Sequence, residues 1–169
     1  MESIIRLSHK TITLQRQQLL KAGGSTDTHI YYVEEGSLRV FVISNAEEQN
    51  IRFGYRGNLI VSLDSFLSGR PSPLYIQALK KTVVRVISKA QFDAYIHSEG
   101  NLAVWTSILE NLVLQQMERE NDLLISSPAE RYRRVLERSP QLFQEIPHRH
   151  IANYLRMSAE TLSRLKKKC

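Results

Sequence analysis

The sequence predicts an α+β chain: an N-terminal double-stranded β-helix (jelly roll), a long dimerisation helix and a C-terminal helix-turn-helix domain. Three observations carry that expectation. Short apolar-alternating stretches punctuated by turn residues fill residues 11–88. Residues 101–125 contain neither Gly nor Pro and step their apolar side chains by three and four. Residues 131–169 combine two short helical patterns with a concentration of positive charge. The corresponding boundaries are residues 1–100 for the roll, 101–126 for the long helix and hinge, and 127–169 for the last domain.

In the first part, Ile12 and Leu14 alternate with polar neighbours, and Lys21-Ala22-Gly23-Gly24-Ser25 reads as a turn. Ile30 to Val33 runs to a break at Glu35-Gly36, after which Leu38, Val40 and Val42 alternate with Arg39 and Phe41. Ile51 and Phe53 open another strand before Gly54 and Gly57, and Leu74–Ala78 and Val83–Ile87 complete the set. Seven or eight short strands at such spacing predict a sandwich or barrel of the jelly-roll kind. Tyr31, Tyr32, Phe41 and Phe53 read as its core. No catalytic set emerges. His9, His29 and His97 are far apart in the chain with no carboxylate at metal spacing, whereas a jelly-roll metalloenzyme wants His-x-His and a third ligand. The His-x-His pair of His148 and His150 falls on a predicted helix, where residues two apart diverge, and reads as surface or phosphate-facing. No metal and no cofactor are therefore expected.

Along residues 101–125, Leu102, Trp105, Leu109, Leu112 and Gln116 form one stripe, with Val113, Met117 and Leu124 adjoining it. One flank can cover the roll, and the other suits the same helix of a second copy. Trp105, Leu109, Leu112 and Gln116 are the expected dimer interface; the open alternative is that the whole stripe packs internally. Ser126-Ser127-Pro128 breaks the helix, and Pro128 can start the next, Ala129 to Arg138.

The charge is lopsided. Residues 131–169 hold ten Arg and Lys against Glu137, Glu145 and Glu160, a sum of +7, so with +6 overall the first 130 residues sum to 6 − 7 = −1. A polyanion partner is expected for this end alone. Ile151, Leu155, Met157, Leu162 and Leu165 fall on the inner faces of two crossing helices, and the small Ala152 allows close approach. Pro147 suits a first helical turn, Ser158 is a good N-cap, and Glu160 favours the positive end of the second helix. Ala159, Glu160, Ser163, Arg164 and Lys167 are left outward. Arg164 can donate a bidentate pair to guanine and Glu160 can accept from cytosine. Lys166, Lys167 and Lys168 suit phosphates. The DNA-binding candidates are Arg149, Ser158, Ala159, Glu160, Thr161, Ser163, Arg164, Lys166, Lys167 and Lys168. The alternative is an ordinary surface hairpin with Glu160 and Arg164 as a solvated ion pair.

At 169 residues, 42% hydrophobic and 24% charged, the composition is that of an ordinary globular protein. No apolar run reaches the length of a membrane span, and the first residues lack a signal-peptide layout, so a cytoplasmic protein without membrane partners is expected. One cysteine, Cys169, excludes an intramolecular disulfide framework and a cysteine-held iron–sulfur cluster.

Ile146 to Leu155 followed by Ala159 to Lys168 resembles the C-terminal helix-turn-helix of Crp–Fnr family transcription regulators, most closely the branch common in Bacteroidetes-type bacteria. Ile30-Tyr31-Tyr32-Val33-Glu34-Glu35-Gly36-Ser37-Leu38-Arg39-Val40 resembles a segment of cyclic-nucleotide-binding domains, so the likeness spans roughly residues 10–168. It implies a homodimer on palindromic double-stranded DNA, RNA polymerase as a partner, and base reading by Glu160 and Arg164. Some relatives place an arginine where this chain has Ala159, which implies a different or looser half-site preference. Many have Gly where Arg156 stands, because the turn wants positive φ there. The single cysteine rules out the cluster-bearing, oxygen-sensing branch. The chain ends directly after the second helix, so contacts from a β-wing are expected to be absent or reduced.

In relatives that bind cyclic AMP, a short helix begins Gly-Glu and an Arg-Ser or Arg-Thr pair holds the phosphate. The resemblance aligns Gly57, Asn58 and Leu59 with the first element and Ser72 and Pro73 with the second, with Arg70 as a substitute cation. Ser72 cannot neutralise a buried phosphate and Pro73 has no N–H, so the pocket is atypical for cyclic AMP and takes another small-molecule effector or none. A competing function is a ligand-binding or protein-interaction module whose basic tail meets nucleic acid without base specificity.

Overall fold

The computed structural model describes residues 2–98 and 101–167. They divide into two compact units, Met1–Leu102 and Ala103–Cys169.

In the first unit, α1 (Glu2–Ile5) precedes β1 (Lys10–Leu14), β2 (Leu19–Lys21), β3 (His29–Glu35), β4 (Ser37–Ser44), β5 (Glu47–Tyr55) and β6 (Leu59–Val61). Then come α2 (Leu63–Ser68), β7 (Tyr75–Ala78), β8 (Thr82–Ser88) and α3 (Lys89–Ile96). The strands form two antiparallel four-stranded sheets, ordered β1-β8-β3-β6 and β2-β7-β4-β5. Period-two alternation turns Leu14, Tyr31, Val33, Leu38, Val40, Ile60, Ile76, Ala78, Val84 and Val86 into one buried cluster, as expected of a β-roll. Gly36 joins β3 to β4 at φ +91°, where a Cβ would stand 2.4 Å from Thr82 Oγ1 and 2.5 Å from the Lys81 carbonyl.

Several strand details differ from expectation. Lys21 ends a strand rather than opening a turn, and Leu59 lies in a strand; both segments have three residues, too few for alternation to show. Tyr32 is half-buried because alternation sends it to the face opposite Tyr31 and Val33. Phe41 is buried on the outer face instead, stacked on Tyr75 at 5.0 Å with the Arg39 guanidinium 4.0 Å from its centroid.

The second unit is helical: α4 (Leu102–Leu124), α5 (Pro128–Arg138), α6 (Leu142–Glu145), α7 (His148–Tyr154) and α8 (Ala159–Lys166). Pro128 opens α5 behind Ser127, whose hydroxyl accepts from the Glu130 N–H at 3.3 Å. Pro147 stands one place earlier than expected, at the N-cap of α7. Tyr132, Val135, Leu142, Ile146, Ile151, Ala152, Leu155 and Leu162 are buried. Polar contacts also fix α4. Asp122, with no exposed surface, lies 2.5 Å from Arg138 and 3.3 Å from Arg134, and Glu118 lies 3.1 Å from Arg138. Burial pulls the Arg138 guanidinium down, but the Asp122 hydrogen bond and charge outweigh that and hold it above the ordinary arginine value. No described helix is long and apolar enough to cross a membrane.

Asp122→Ala removes a fully buried carboxylate from two partly exposed arginines that keep Glu118 and should cost about 1–3 kcal/mol of stability. Urea unfolding followed by the fluorescence of Trp105, the chain's one tryptophan, measures it; an unchanged midpoint would show the pairs to be dispensable.

Candidate nucleic-acid surface and effector pocket

In the roll, the residues expected to form a pocket do not converge. Gly57 (φ +91°) and Asn58 make the turn between β5 and β6, and Asn58 Oδ1 is used by the Tyr55 N–H at 3.1 Å. The short helix is α2, with Ser62 at its N-cap, so the alignment of Gly57, Asn58 and Leu59 with the start of that helix is off by several residues. Arg70 is exposed beyond α2, and its backbone rather than its guanidinium is held, by Ser65 and Ser68.

What α2 and the following loop bring together is a buried polar cluster. The Ser62 hydroxyl lies 3.1 Å from that of Ser72 and 3.0 Å from the Asp64 carboxylate. Lys21 Nζ donates to the carbonyls of Ala22 (3.1 Å), Ser72 (3.1 Å) and Leu74 (2.7 Å). Desolvation lowers the Lys21 pKa, while the charges of Asp27 and Asp64 oppose that shift. For Asp64, burial pushes upward, but hydrogen bonds from Ser72, its own turn and Ser62 leave it below the usual carboxylate range. Asp27 accepts from the Tyr31 hydroxyl at 2.9 Å, and its N–H donates to Ser65 Oγ at 2.8 Å. Burial, then the Asp27 charge, drives the Tyr31 phenol well above its ordinary range.

His9 and His29, expected to be apart, line one cavity of about 160 Å³ with Lys10, Val86, Ser88 and Gln91. The cause is topological: β1 and β3 both flank β8. His29 Nδ1 is also 2.9 Å from Asp27 Oδ1, a carboxylate partner that sequence spacing had not suggested. No group of three or more metal-ligating side chains occurs among the described residues.

The second unit presents the α7–α8 pair. Leu162 of α8 is fully buried with Ile151 and Leu155, whereas Ala159, Glu160, Ser163, Arg164 and Lys167 are exposed. Ser158 caps α8, its hydroxyl accepting from the Thr161 N–H at 3.0 Å. Glu160 and Arg164 make no ion pair with each other among the described residues, unlike the solvated pair of the surface-hairpin alternative. Arg149 is exposed, and Lys166 Nζ sits 2.5 Å from His148 Nε2. Lys168 lies outside the described residues. His150 corrects the expectation of a surface group: it is 8% exposed, because the α7 face that buries Ile151 and Ala152 also takes in position 150.

On α4 the open apolar surface is rotated from the expected stripe. Trp105, Leu109 and Leu112 are half-buried, and Gln116 is exposed. Leu102, Val113, Leu114, Met117, Leu123 and Leu124 are the exposed large apolar side chains of α4, and a shallow groove of about 470 Å³ runs along Thr106, Leu109, Glu110, Val113 and Leu114.

Residues 11–99, more than half of the chain, match the family model for the cyclic nucleotide-binding domain. The chain belongs to that family. No curated protein sequence matches it significantly. Among solved structures, FixK2 from Bradyrhizobium japonicum superimposes with a TM-score of 0.78 at 16% identity, covering 94% of this chain and 83% of that one. The catabolite activator protein of Thermus thermophilus gives 0.61 at 20%, covering 99% and 80%. A CRP-family transcriptional regulator, also from Thermus thermophilus, gives 0.68 at 15%, covering 93% and 83%. The fold, β-roll followed by helices, is thus shared with Crp–Fnr-type regulators.

Membership in the cyclic nucleotide-binding family raises the question of fit, and the residues present do not fit a cyclic phosphate. An anion needs inward N–H donors and a cation. Here the loop aims carbonyls inward at Lys21. Its donors are spent: the Ser72 N–H on Ser25 O at 3.1 Å, the Leu74 N–H on Ser72 Oγ at 3.2 Å, and Pro73 has none. A true ligand at a hundred times its Kd would stabilise the fold by about 2.7 kcal/mol. Cyclic AMP is expected to leave the thermal midpoint unchanged; a rise of several degrees would show that the cluster opens.

Proposed function

We propose that the chain is a homodimeric, sequence-specific DNA-binding transcription regulator of the Crp–Fnr type, acting in the cytoplasm, with a roll that does not take cyclic AMP. The carrying observation is the one-sided character of α8: Leu162 is buried, while Glu160, Ser163, Arg164 and Lys167 face solvent behind the Ser158 cap. A helix so displayed can lie in a major groove with its first turns on base edges. The two matched structures described as a catabolite activator and a CRP-family transcriptional regulator support the same reading.

Residues 127–169 are the proposed helix-turn-helix domain. Arg164 pairs with guanine, Glu160 accepts from cytosine, and Ser158, Ala159, Thr161 and Ser163 lie along the groove. Arg149 and Lys166 to Lys168 meet phosphates. α4 is the proposed dimerisation helix, with its seam on Leu109, Val113 and Met117, the apolar surface it leaves open. Twofold symmetry then sets two copies of α8 about 34 Å apart on a palindromic site. Regulation acts through the angle of α5–α8 against α4 about Ser126–Pro128, which changes only when the contacts that span that break are released.

Selection of binding sites from random duplex DNA tests the reading; uniform recovery of all sequences would leave a phosphate-binding module only. On a selected site, Arg164→Ala should cost about 1–3 kcal/mol and relax preference at one base pair, whereas Lys167→Ala should weaken all sequences alike and flatten the salt slope by about one. Unchanged affinity in Arg164→Ala would place α8 in another register. Val113→Glu should shift the chain to monomer in sedimentation; a dimer that persists would put the interface elsewhere.

A further inference from the structure

The turn between α7 and α8 is a Schellman closure: the Met157 N–H donates to Ala152 O at 3.0 Å and the Arg156 N–H to Asn153 O at 3.1 Å. Its left-handed position is occupied by Arg156 at φ 54°, not glycine. A left-handed residue that carries a Cβ is strained relative to glycine, so something must hold the turn in place. The next carbonyls, of Leu155 and Arg156, turn toward one buried side chain. Arg131 of α5, 8% exposed, donates from Nε to Leu155 O at 2.9 Å and from Nη2 to Arg156 O at 3.2 Å.

The same guanidinium reaches a second helix end. Its Nη1 donates to Ser126 O at 3.1 Å and to Ile125 O, the carbonyls that follow the last turn of α4. No carboxylate pairs with Arg131 among the described residues. One rigid fork therefore meets the orphan carbonyls at the C-termini of α4 and α7, where both helix dipoles are negative.

The geometry points to Arg131 as a positioning residue that locks the end of α4 to the turn setting the direction of α8, so that the two open and move as one body. This rests on the proposed DNA-binding reading, because it supplies the physical link between the α4–α5 hinge and the recognition surface. A lysine at 131 keeps the charge but presents a single ammonium, which cannot span four carbonyls on two elements.

The test is native-state hydrogen exchange on the full chain. The Ile125 N–H, bonded to Asp122 O, and the Met157 N–H, bonded to Ala152 O, report the two ends. In the wild type they should open with one free energy and one denaturant dependence; separate isotherms overturn the proposal even if no variant folds. In Arg131→Lys both amides should exchange about tenfold faster while Tyr31 in the roll is unaffected. Affinity for a selected DNA site should fall about tenfold, and affinity for random duplex should hold. Acceleration at Met157 alone, or unchanged specific affinity, would also overturn it. A wild type that binds no duplex selectively would sink the DNA reading, and the exchange measurement would still decide the coupling.

Discussion

Removing a guanidinium from water costs several kcal/mol unless its donors are met, and the helical unit is arranged around meeting them. Arg131 is met by four backbone carbonyls. Arg138 is met by Asp122, which has no exposed surface. Arg119, 6% exposed, is the exception: it lies 3.7 Å over the Tyr154 ring, and its Nη1 has no hydrogen-bond partner among the described residues. Desolvation accordingly lowers the Arg119 pKa, with the neighbouring Tyr154 and Asp122 opposing the shift. An apolar contact of Ile151, Leu155 and Leu162 tolerates some sliding of one helix on another. A planar fork on four carbonyls does not, so arginine geometry sets the relative placement of α4, α5 and α7.

The same contacts redistribute charge. Counting from residue 131 assigns +7 to the tail, yet Arg134 and Arg138 are matched by Glu118 and Asp122, which precede that boundary. Arg131 is interior, and Arg133 lies 3.5 Å from Glu130. Arg149, Arg156, Arg164 and Lys167, on and around α7 and α8, are exposed, as is Arg133 beside Glu130. The attraction for a polyanion is therefore concentrated around α7 and α8 rather than spread evenly over the last domain.

Legibility in the sequence followed the range of the interactions. The Ser158 cap and the burial of Ile151, Leu155 and Leu162 depend on neighbours within a few residues, and pattern located them; the left-handed Arg156 came from the resemblance, and buried His150 was missed. Strands β3, β4 and β8 were long enough to alternate visibly; β2 and β6 were not. Pairings across the roll were invisible: His9 and His29 come together only because β8 lies between their strands, and Lys21 meets Ser72 and Leu74 across more than fifty residues. The open apolar surface of α4 was not legible because one residue along a helix is a turn of about 100°, and its apolar side chains form a band wider than one face. Only packing shows that Trp105 and Leu112 are partly covered while Val113 and Met117 are open.

These constraints bear on how such a regulator would be controlled. A pocket that switches needs groups whose partners change when ligand arrives, but in the α2 loop the Ser72 and Leu74 amides and the Lys21 ammonium are already satisfied within the chain. An anionic effector would have to break those bonds without receiving equivalent donors in return. α4, by contrast, has unmet apolar surface, which on the proposed reading a second copy buries. On the proposed reading, site occupancy then rises with protomer concentration by mass action, since one dimer places two copies of α8 on the DNA. Control through abundance needs no ligand in the roll, and a self-satisfied polar cluster serves it better than an open pocket would.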